Sequence, residues 1–171
     1  MKTMQPRITA IVTPDRQLTD TPMTAVVDFA TEADLPALAD LLYELFTLES
    51  DFQPERDKQL RGLKLILDNP ALGRLFVLRV DGRVAGMANA LITLSTALGE
   101  PVVLLEDVIV AAPWRGRGWG RQLIEHVCAW ARAQGMARVT LLADRGNAPA
   151  LAFYERLGFQ KSAMVVRRKM L

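Results

Sequence analysis

The chain of 171 residues is poor in the residues on which several kinds of protein depend. Its one cysteine, Cys128, excludes an internal disulfide, and its one histidine, His126, leaves too few ligands for a zinc site. A Ser-His-Asp arrangement is disfavoured as well, because His126 falls on the polar side of a predicted helix. We therefore expect neither a disulfide-stapled fold nor a metal site.

Long apolar runs and an excess of one charge are also missing. No apolar segment approaches the roughly 20 residues needed to span a bilayer, and no charged start is followed by an apolar block typical of a signal peptide. The net charge is only +2, from 21 basic and 19 acidic residues, so no overall field attracts nucleic acid. We expect a cytoplasmic protein that binds neither membranes nor nucleic acid.

The composition is that of one ordinary domain, with 50% hydrophobic and 23% charged residues. The first 22 residues are rich in threonine and proline and have no sustained periodicity. We therefore interpret residues 1–22 as an N-terminal arm and residues 23–171 as a single domain.

Hydrophobic periodicity and turn residues predict the element order β-α-α-β-β-β-α-β-α-β. Ala25–Phe29 is a predicted strand, Thr31 and Asp34 form a predicted capping box, and Asp81-Gly82 is a two-residue hairpin signal. A parallel strand is predicted at 138–143 and a last strand or hairpin arm at 159–170. The order predicts an α/β (α+β) fold with one mixed, mostly antiparallel sheet, a βαβ crossover and helices on both faces.

A glycine-rich turn at 113–120, Pro-Trp-Arg-Gly-Arg-Gly-Trp-Gly, separates a predicted buried strand from an amphipathic helix. Backbone N–H groups in such a turn and the dipole of the following helix both favour a bound pyrophosphate. The spacing matches neither the dinucleotide-binding G-x-G-x-x-G pattern nor the Walker motif. A loop that uses its glycines merely to turn remains the alternative.

Two motifs in order resemble the GNAT superfamily of acyl-CoA-dependent N-acyltransferases. The family signature Arg/Gln-x-x-Gly-x-Gly/Ala is matched by Arg115-Gly-Arg-Gly118-Trp-Gly120. A second family segment is matched by Asn147, Ala150, Tyr154, Gly158 and Phe159. The resemblance covers roughly residues 23–171.

The resemblance implies a GNAT-like fold and acetyl-CoA as cosubstrate. It implies that the backbone of the strand before the turn pairs with the pantetheine arm, that the turn binds the pyrophosphate, and that Tyr154 protonates the departing thiolate. Arginines beside the turn add positive charge, and Trp119 either packs under the turn or contacts the adenine end. The candidate cofactor-binding residues are Val108, Ile109, Val110, Arg115, Gly116, Arg117, Gly118, Trp119, Gly120, Arg121 and Asn147.

Attack by an amine requires an uncharged nitrogen, so a base is wanted near the strand that holds the thioester. Glu106 is the first candidate, because the period-two rule places it on the face of Val108 and Val110 and turns Asp107 to the other side. A bulge in the strand would exchange these faces. Glu106, Asp107 and water therefore all remain candidates for the base.

These features predict an N-acetyltransferase that moves the acetyl group of acetyl-CoA to a primary amine by direct attack in a ternary complex. The alternative is a non-catalytic CoA-binding sensor or interaction module. Acidic residues between Glu44 and Asp57 surround Phe52, and such a loop could attract a cationic amine, although an ordinary solvated turn has the same composition. The acceptor is not identified by the sequence, and a homodimer is compatible with it.

Overall fold

The computed structural model of the chain describes residues 23–48 and 53–170. Within them, five strands form one sheet in the order β1-β2-β3-β4-β5, antiparallel except for the parallel pair β4 and β5. The elements are β1 (Ala25–Phe29), α1 (Leu35–Leu48), α2 (Arg56–Asp68), β2 (Gly73–Val80), β3 (Arg83–Ser95), β4 (Glu100–Val110), α3 (Trp119–Ala133), β5 (Val139–Leu141) and α4 (Ala148–Arg156). None of these helices is long and apolar enough to cross a membrane.

Each face of the sheet is covered by helices and carries its own apolar core. On the face that we call the α3 face, Phe76 and Leu105 pack with Leu123 and Val127 of α3. On the α1–α2 face, neighbouring residues of the same strands pack with α1 and α2, for example Val77 of β2. Neighbouring side chains of one strand thus lie in different cores, as in strands that are buried on both faces. This arrangement confirms the predicted mixed sheet between two helical layers.

The predicted capping box forms and fixes the start of α1. The backbone N–H of Thr31 donates to Asp34 Oδ2 at 2.7 Å, and Arg79 Nη2 of β2 donates to the same oxygen at 2.8 Å. Burial opposes ionisation of Asp34, but the hydrogen bonds from Thr31 and Arg79 together hold the pKa of this carboxyl group below its ordinary value. The buried ion pair therefore joins the helical layer to the sheet.

The predicted hairpin turn is confirmed, and the predicted last strand is wrong. Asp81 and Gly82 both have positive φ, 49° and 76°, as a tight turn between β2 and β3 requires. By contrast, residues 159–170 form no strand, and Met164 is 86% exposed. β5 has only three residues, so it offers a short edge on which a further strand could pair.

Candidate functional site

The site begins where β4 and β5 separate. β5 pairs with β4 only at Val103, Leu104 and Leu105, whereas β4 continues to Val110. Among the described residues, no strand pairs with β4 on the β5 side beyond Leu105. The backbone of 106–110 on that side is therefore a free strand edge, and an extended ligand with amide groups can pair with such an edge.

A bulge lies in β4 at the same place. Asn89 of β3 pairs with Glu106, but Met87 pairs with Ile109, so Asp107 and Val108 together oppose a single residue of β3. Asp107 has φ of 52°, a left-handed conformation that is uncommon for residues other than glycine. The extra residue shifts the alternation of side chains along β4 by one position.

This shift corrects the expected orientation of Glu106. Val108 and Val110 pack against the core of the α3 face. Glu106 lies on the α1–α2 face, because its partner Asn89 lies between Ala88 and Ala90, whose side chains belong to the α3 face. The prediction that Glu106 shares a face with Val108 and Val110 is therefore wrong.

Asp107 was expected on the side opposite to Glu106, and this expectation is also wrong. Its carboxylate lines a cleft beneath α2 on the α1–α2 face, and Asn89 Nδ2 donates to Asp107 Oδ2 at 3.3 Å. The left-handed backbone of Asp107 turns both carboxylates toward the same helical layer.

Burial raises the pKa of both carboxyl groups. For Glu106 the negative charge of Asp107 adds to the effect of burial, while the positive charge of Arg168 opposes it. For Asp107 the hydrogen bond from Asn89 offsets part of the effect of burial. A carboxylate with a raised pKa is a stronger base than one in water, which suits proton abstraction from an amine.

The glycine-rich turn has the geometry of an anion site. Gly116 and Gly118 have φ of 76° and 82°, and Gly118 is the N-cap of α3 without any side-chain cap. The first helical hydrogen bond runs from the N–H of Gln122 to the carbonyl of Gly118. The N–H groups that begin α3 thus have no partner within the helix, and they are available to a phosphate.

Gly120 fixes the turn against the fold. A Cβ at Gly120 would lie 3.5 Å from the ring of Phe153 in α4 and 3.8 Å from Val110 Cγ2. At Gly116 and Gly118, by contrast, a Cβ would have no atom within 4 Å among the described residues. The turn is therefore packed on its inner side and open on its outer side.

The three arginines of the turn differ in their contacts. Arg115 Nε donates to the carbonyl of Val110 at 2.7 Å, and its guanidinium pairs with Glu44 of α1. Arg115 therefore contacts the protein itself and ties the end of β4 to α1. Arg117 and Arg121 are exposed, and their contacts are with side chains, since Arg117 Nη1 donates to Sδ of Met23 at 3.5 Å and Arg121 pairs with Glu125 on its own helix.

Of the remaining candidate residues, Tyr154 lies on the α3 face and Asn147 lies at the start of α4. Tyr154 packs between Phe153 and Phe159 and against the core to which Val108 and Val110 belong. Asn147 is the N-cap of α4, and its Oδ1 accepts a hydrogen bond from the N–H of Ala150 at 3.1 Å.

Trp119 takes the first of its two expected positions, packed under the turn. Its indole packs against the core of the α3 face, and its Nε1 is buried. A contact of this ring with an adenine is therefore not what the geometry favours, and Trp119 contributes to the turn through its backbone.

On the α1–α2 face, two residues that were not predicted from the sequence, Asn89 and Gln59, line the cleft with Asp107. A signal for Asn89 was present, since it is a lone amide inside the apolar run of β3. Of the expected acidic loop, residues 49–52 lie outside the described residues. Glu55 pairs with Lys58, as Glu44 pairs with Arg115.

Residues 35–159 match the sequence model of the acetyltransferase (GNAT) family. The chain belongs to this family. The general reaction of the family is acetyl transfer to an amine, and its acetyl donor is acetyl-CoA.

Curated relatives match parts of the GNAT chain. The glucosamine 6-phosphate N-acetyltransferase of Trypanosoma brucei brucei is 35% identical over 88 residues, which are 51% of this chain and 58% of that protein. The streptothricin acetyltransferase of Streptomyces lavendulae is 37% identical over 79 residues, 46% of this chain and 40% of that protein. The chain thus spans less than two thirds of the length of these relatives.

Solved structures share the fold over nearly the whole chain. An aminoglycoside N-acetyltransferase in complex with CoA superposes with a TM-score of 0.75 at 22% identity, covering 90% of this chain and 99% of that one. A possible acetyltransferase from Clostridium difficile 630 superposes with a TM-score of 0.78 at 18% identity, covering 86% and 97%. At these identities the likeness establishes the fold.

Proposed function

We propose that this protein transfers the acetyl group of acetyl-CoA to a primary amine by direct attack in a ternary complex. One observation carries the proposal: the free edge of β4 beyond Leu105 ends at a glycine turn, and the helix that follows has no side-chain cap among the described residues. A strand edge for an amide-bearing arm and an anion site for a pyrophosphate are thereby adjacent, as CoA requires.

The residues present fit CoA. Backbone N–H groups of 116–120 bind the pyrophosphate, since the left-handed Gly116 and Gly118 leave open space where side chains would stand. Arg117 and Arg121 add positive charge beside the turn. The carbonyl of Val108 and the N–H of Val110 pair with the pantetheine arm, because the backbone groups of Ile109 face Met87 of β3 and the carbonyl of Val110 already accepts from Arg115.

Asn147, at the start of α4, remains a proposed contact of the cofactor. Its Oδ1 is used by the helix, but its Nδ2 group has two hydrogens to donate. The side chain is held in place by its capping hydrogen bond, so this donor has a defined direction.

The bound acetyl-CoA supplies an acetyl group already activated as a thioester. In the proposed mechanism Tyr154 protonates the departing sulfur, and its position on the same face as Val108 and Val110 supports this role. The backbone N–H of Val108, next to the bulge, stabilises the negative charge that develops on the carbonyl oxygen.

Glu106 accepts the proton of the attacking amine in this proposal, directly or through water. Its raised pKa and its position opposite to Tyr154 support the role, because acid and base then lie on different sides of β4. Asp107 and water are the competing bases. Substitution of each carboxylate in turn distinguishes these three candidates.

The test is release of free thiol when the protein is mixed with acetyl-CoA and a panel of primary amines. We expect release above the rate without amine for at least one member, with the acetylated amine found by mass spectrometry. A module that binds CoA without turnover would bind CoA in calorimetry but release no additional thiol with any amine. That result would overturn the proposed activity.

A further inference from the structure

A cleft of about 200 Å³ lies between α1, α2 and the sheet, next to the bulge of β4. Its polar end is formed by Asn89 of β3, Asp107 of β4 and Gln59 of α2. Its apolar wall is formed by side chains of the two helices, among them Leu42, Phe46 and Ile66. The cleft thus has a polar end and an apolar side.

The oxygens at the polar end have unfilled hydrogen-bonding capacity. Asn89 is 4% exposed, and its Oδ1 is buried without a hydrogen-bond partner among the described residues. The same is true of Gln59 Oε1. Because Asn89 Nδ2 donates to Asp107, the acceptor end of the amide is turned away from that carboxylate. Leaving a buried acceptor unpaired is unfavourable, so a ligand that donates hydrogen bonds to these two oxygens would be stabilised here.

The missing partner is a group rich in donors. The two amide oxygens and the Asp107 carboxylate are all acceptors and include one negative charge. A protonated primary amine has three donors, no acceptor and a positive charge, whereas water has two donors and no charge. A protonated amine therefore matches this end of the cleft in both number and sign.

We propose that the cleft binds a second, protonated amino group of the acceptor, so that the substrate is a primary amine whose apolar stem carries another ammonium group. This inference rests on the proposed function. It adds the chemical class of the acceptor and assigns Asn89, Gln59 and Asp107 to its recognition.

The position of the cleft decides which amino group it holds. The strand edge proposed for the thioester is on the β5 side of β4, whereas Asn89 belongs to β3 on the other side of β4. With strands about 4.8 Å apart, an arm paired with that edge lies two strand spacings from β3, roughly 10 Å. The reacting amine must be uncharged and lie at the gap, so the ammonium in the cleft is the distal one.

The rest of the cleft suits the stem of such a molecule. A volume of about 200 Å³ exceeds the roughly 30 Å³ that one water molecule occupies in the liquid, so a chain of several methylenes fits against the apolar wall. Lys58 also lines the cleft, but its ammonium pairs with Glu55 and is 62% exposed. Its charge is therefore largely screened from the polar end.

The experiment compares α,ω-diamines with alkyl monoamines of the same chain length in the thiol-release assay. We expect kcat/KM to be at least about tenfold higher for the best diamine, the gain made by hydrogen bonds to a charged group. Asn89→Leu and Gln59→Leu are expected to remove most of this preference, chiefly by raising the KM for the diamine. Asn69→Leu, at an exposed asparagine after α2, is the matched control and keeps the preference.

Each outcome has a separate meaning. Equal kcat/KM for diamines and monoamines in the parent protein would overturn the second-amine site while leaving the acetyltransferase intact. If no amine releases thiol, the proposed function fails, and the cleft is tested directly by titrating the protein with diamine and monoamine. A shift of the Asn89 side-chain amide resonances with the diamine alone supports the site. The absence of a selective shift overturns it and leaves the cleft to solvent.

Discussion

The two faces of β4 differ in the kind of group that each presents. On the α3 face the strand presents Val108 and Val110, and the adjoining turn offers backbone N–H groups. On the α1–α2 face the same strand presents Glu106 and Asp107, next to the amide of Asn89. In the proposed function, the free edge of β4 and the turn recognise the donor through main-chain groups, whereas the α1–α2 face recognises the acceptor through side chains.

This difference explains how one fold can keep the same acetyl donor while its acceptor substrate changes. Main-chain recognition depends on φ and on the absence of Cβ atoms, so it tolerates many side chains at Val108 or Val110. Recognition in the proposed acceptor cleft depends on the identity of Asn89, Gln59 and Asp107, so each substitution there is expected to alter what is bound. The bulge at Asp107 separates the two kinds of recognition by a single residue.

The largest effect is expected from Gly118→Val, which acts on the main-chain face. Valine disfavours φ of 82°, so the turn adopts another conformation when CoA is absent. Binding of CoA must then restore the left-handed conformation, which costs about 1–3 kcal/mol of binding free energy. We expect the Kd for CoA, measured by calorimetry, to rise by roughly 10- to 100-fold.

Gly99→Val is the matched control for this substitution. Gly99 has φ of 71° in the turn before β4, and its Cβ position is equally open among the described residues. The control should lower the melting temperature without changing the Kd for CoA. Equal CoA affinity of Gly118→Val and the parent would show that the turn does not bind the pyrophosphate.

Tyr154→Phe is expected to lower turnover by roughly 10- to 100-fold and to leave the Kd for CoA nearly unchanged. The phenyl ring keeps the packing between Phe153 and Phe159, and only the proton donor is lost. Tyr43→Phe, at the other tyrosine of the chain, is 52% exposed on α1 and should retain full activity. An unchanged kcat in Tyr154→Phe would exclude the acid role.

The side-chain face is tested through the pH dependence of kcat/KM. If Glu106 is the base, the rate rises with pH through its pKa, which burial and Asp107 raise above the ordinary value. Glu106→Gln should remove this rising limb of the pH profile and lower kcat/KM at neutral pH by about tenfold. Asp107→Asn should keep the limb but shift it to lower pH, since a neighbouring negative charge is gone.

Arg168→Gln is expected to shift the pH profile in the opposite direction. The charge of Arg168 lowers the pKa of Glu106, so its removal should move the limb to higher pH. Lys169→Gln is the control for the general loss of a tail cation. Loss of the limb in Asp107→Asn but not in Glu106→Gln would assign the base to Asp107, and retention in both would assign it to water.

The structural features that depend on local signals were predicted from the sequence. Thr31 and Asp34 sit at capping-box spacing, and Asp81-Gly82 supplies the positive φ of a tight turn. The glycines at 116 and 118 likewise marked the turn before α3. Each of these features is decided by residues close to one another in the chain.

The predictions that were wrong concern features that depend on residues distant in sequence. The bulge is a matter of register between β3 and β4, and its left-handed residue is Asp107 rather than a glycine, so no local signal marked it. The segment 159–170 has the apolar residues of a strand, but a strand also needs a free edge of sufficient length. The unfilled oxygen of Asn89 appears only once α2 covers it.

The smallest effect is expected at the ion pair that links the two faces. Arg115 joins the end of β4 to Glu44 of α1, but both side chains are more than a third exposed, and such pairs contribute about 0–1 kcal/mol. Glu44→Gln should therefore raise the Kd for CoA by no more than about fivefold, and less at high salt. Glu55→Gln removes a comparable exposed pair remote from the turn and should leave the Kd unchanged. A larger, salt-independent effect of Glu44→Gln would mean that the acceptor-side helix helps to hold the turn in its binding conformation, and that the two faces of β4 are coupled.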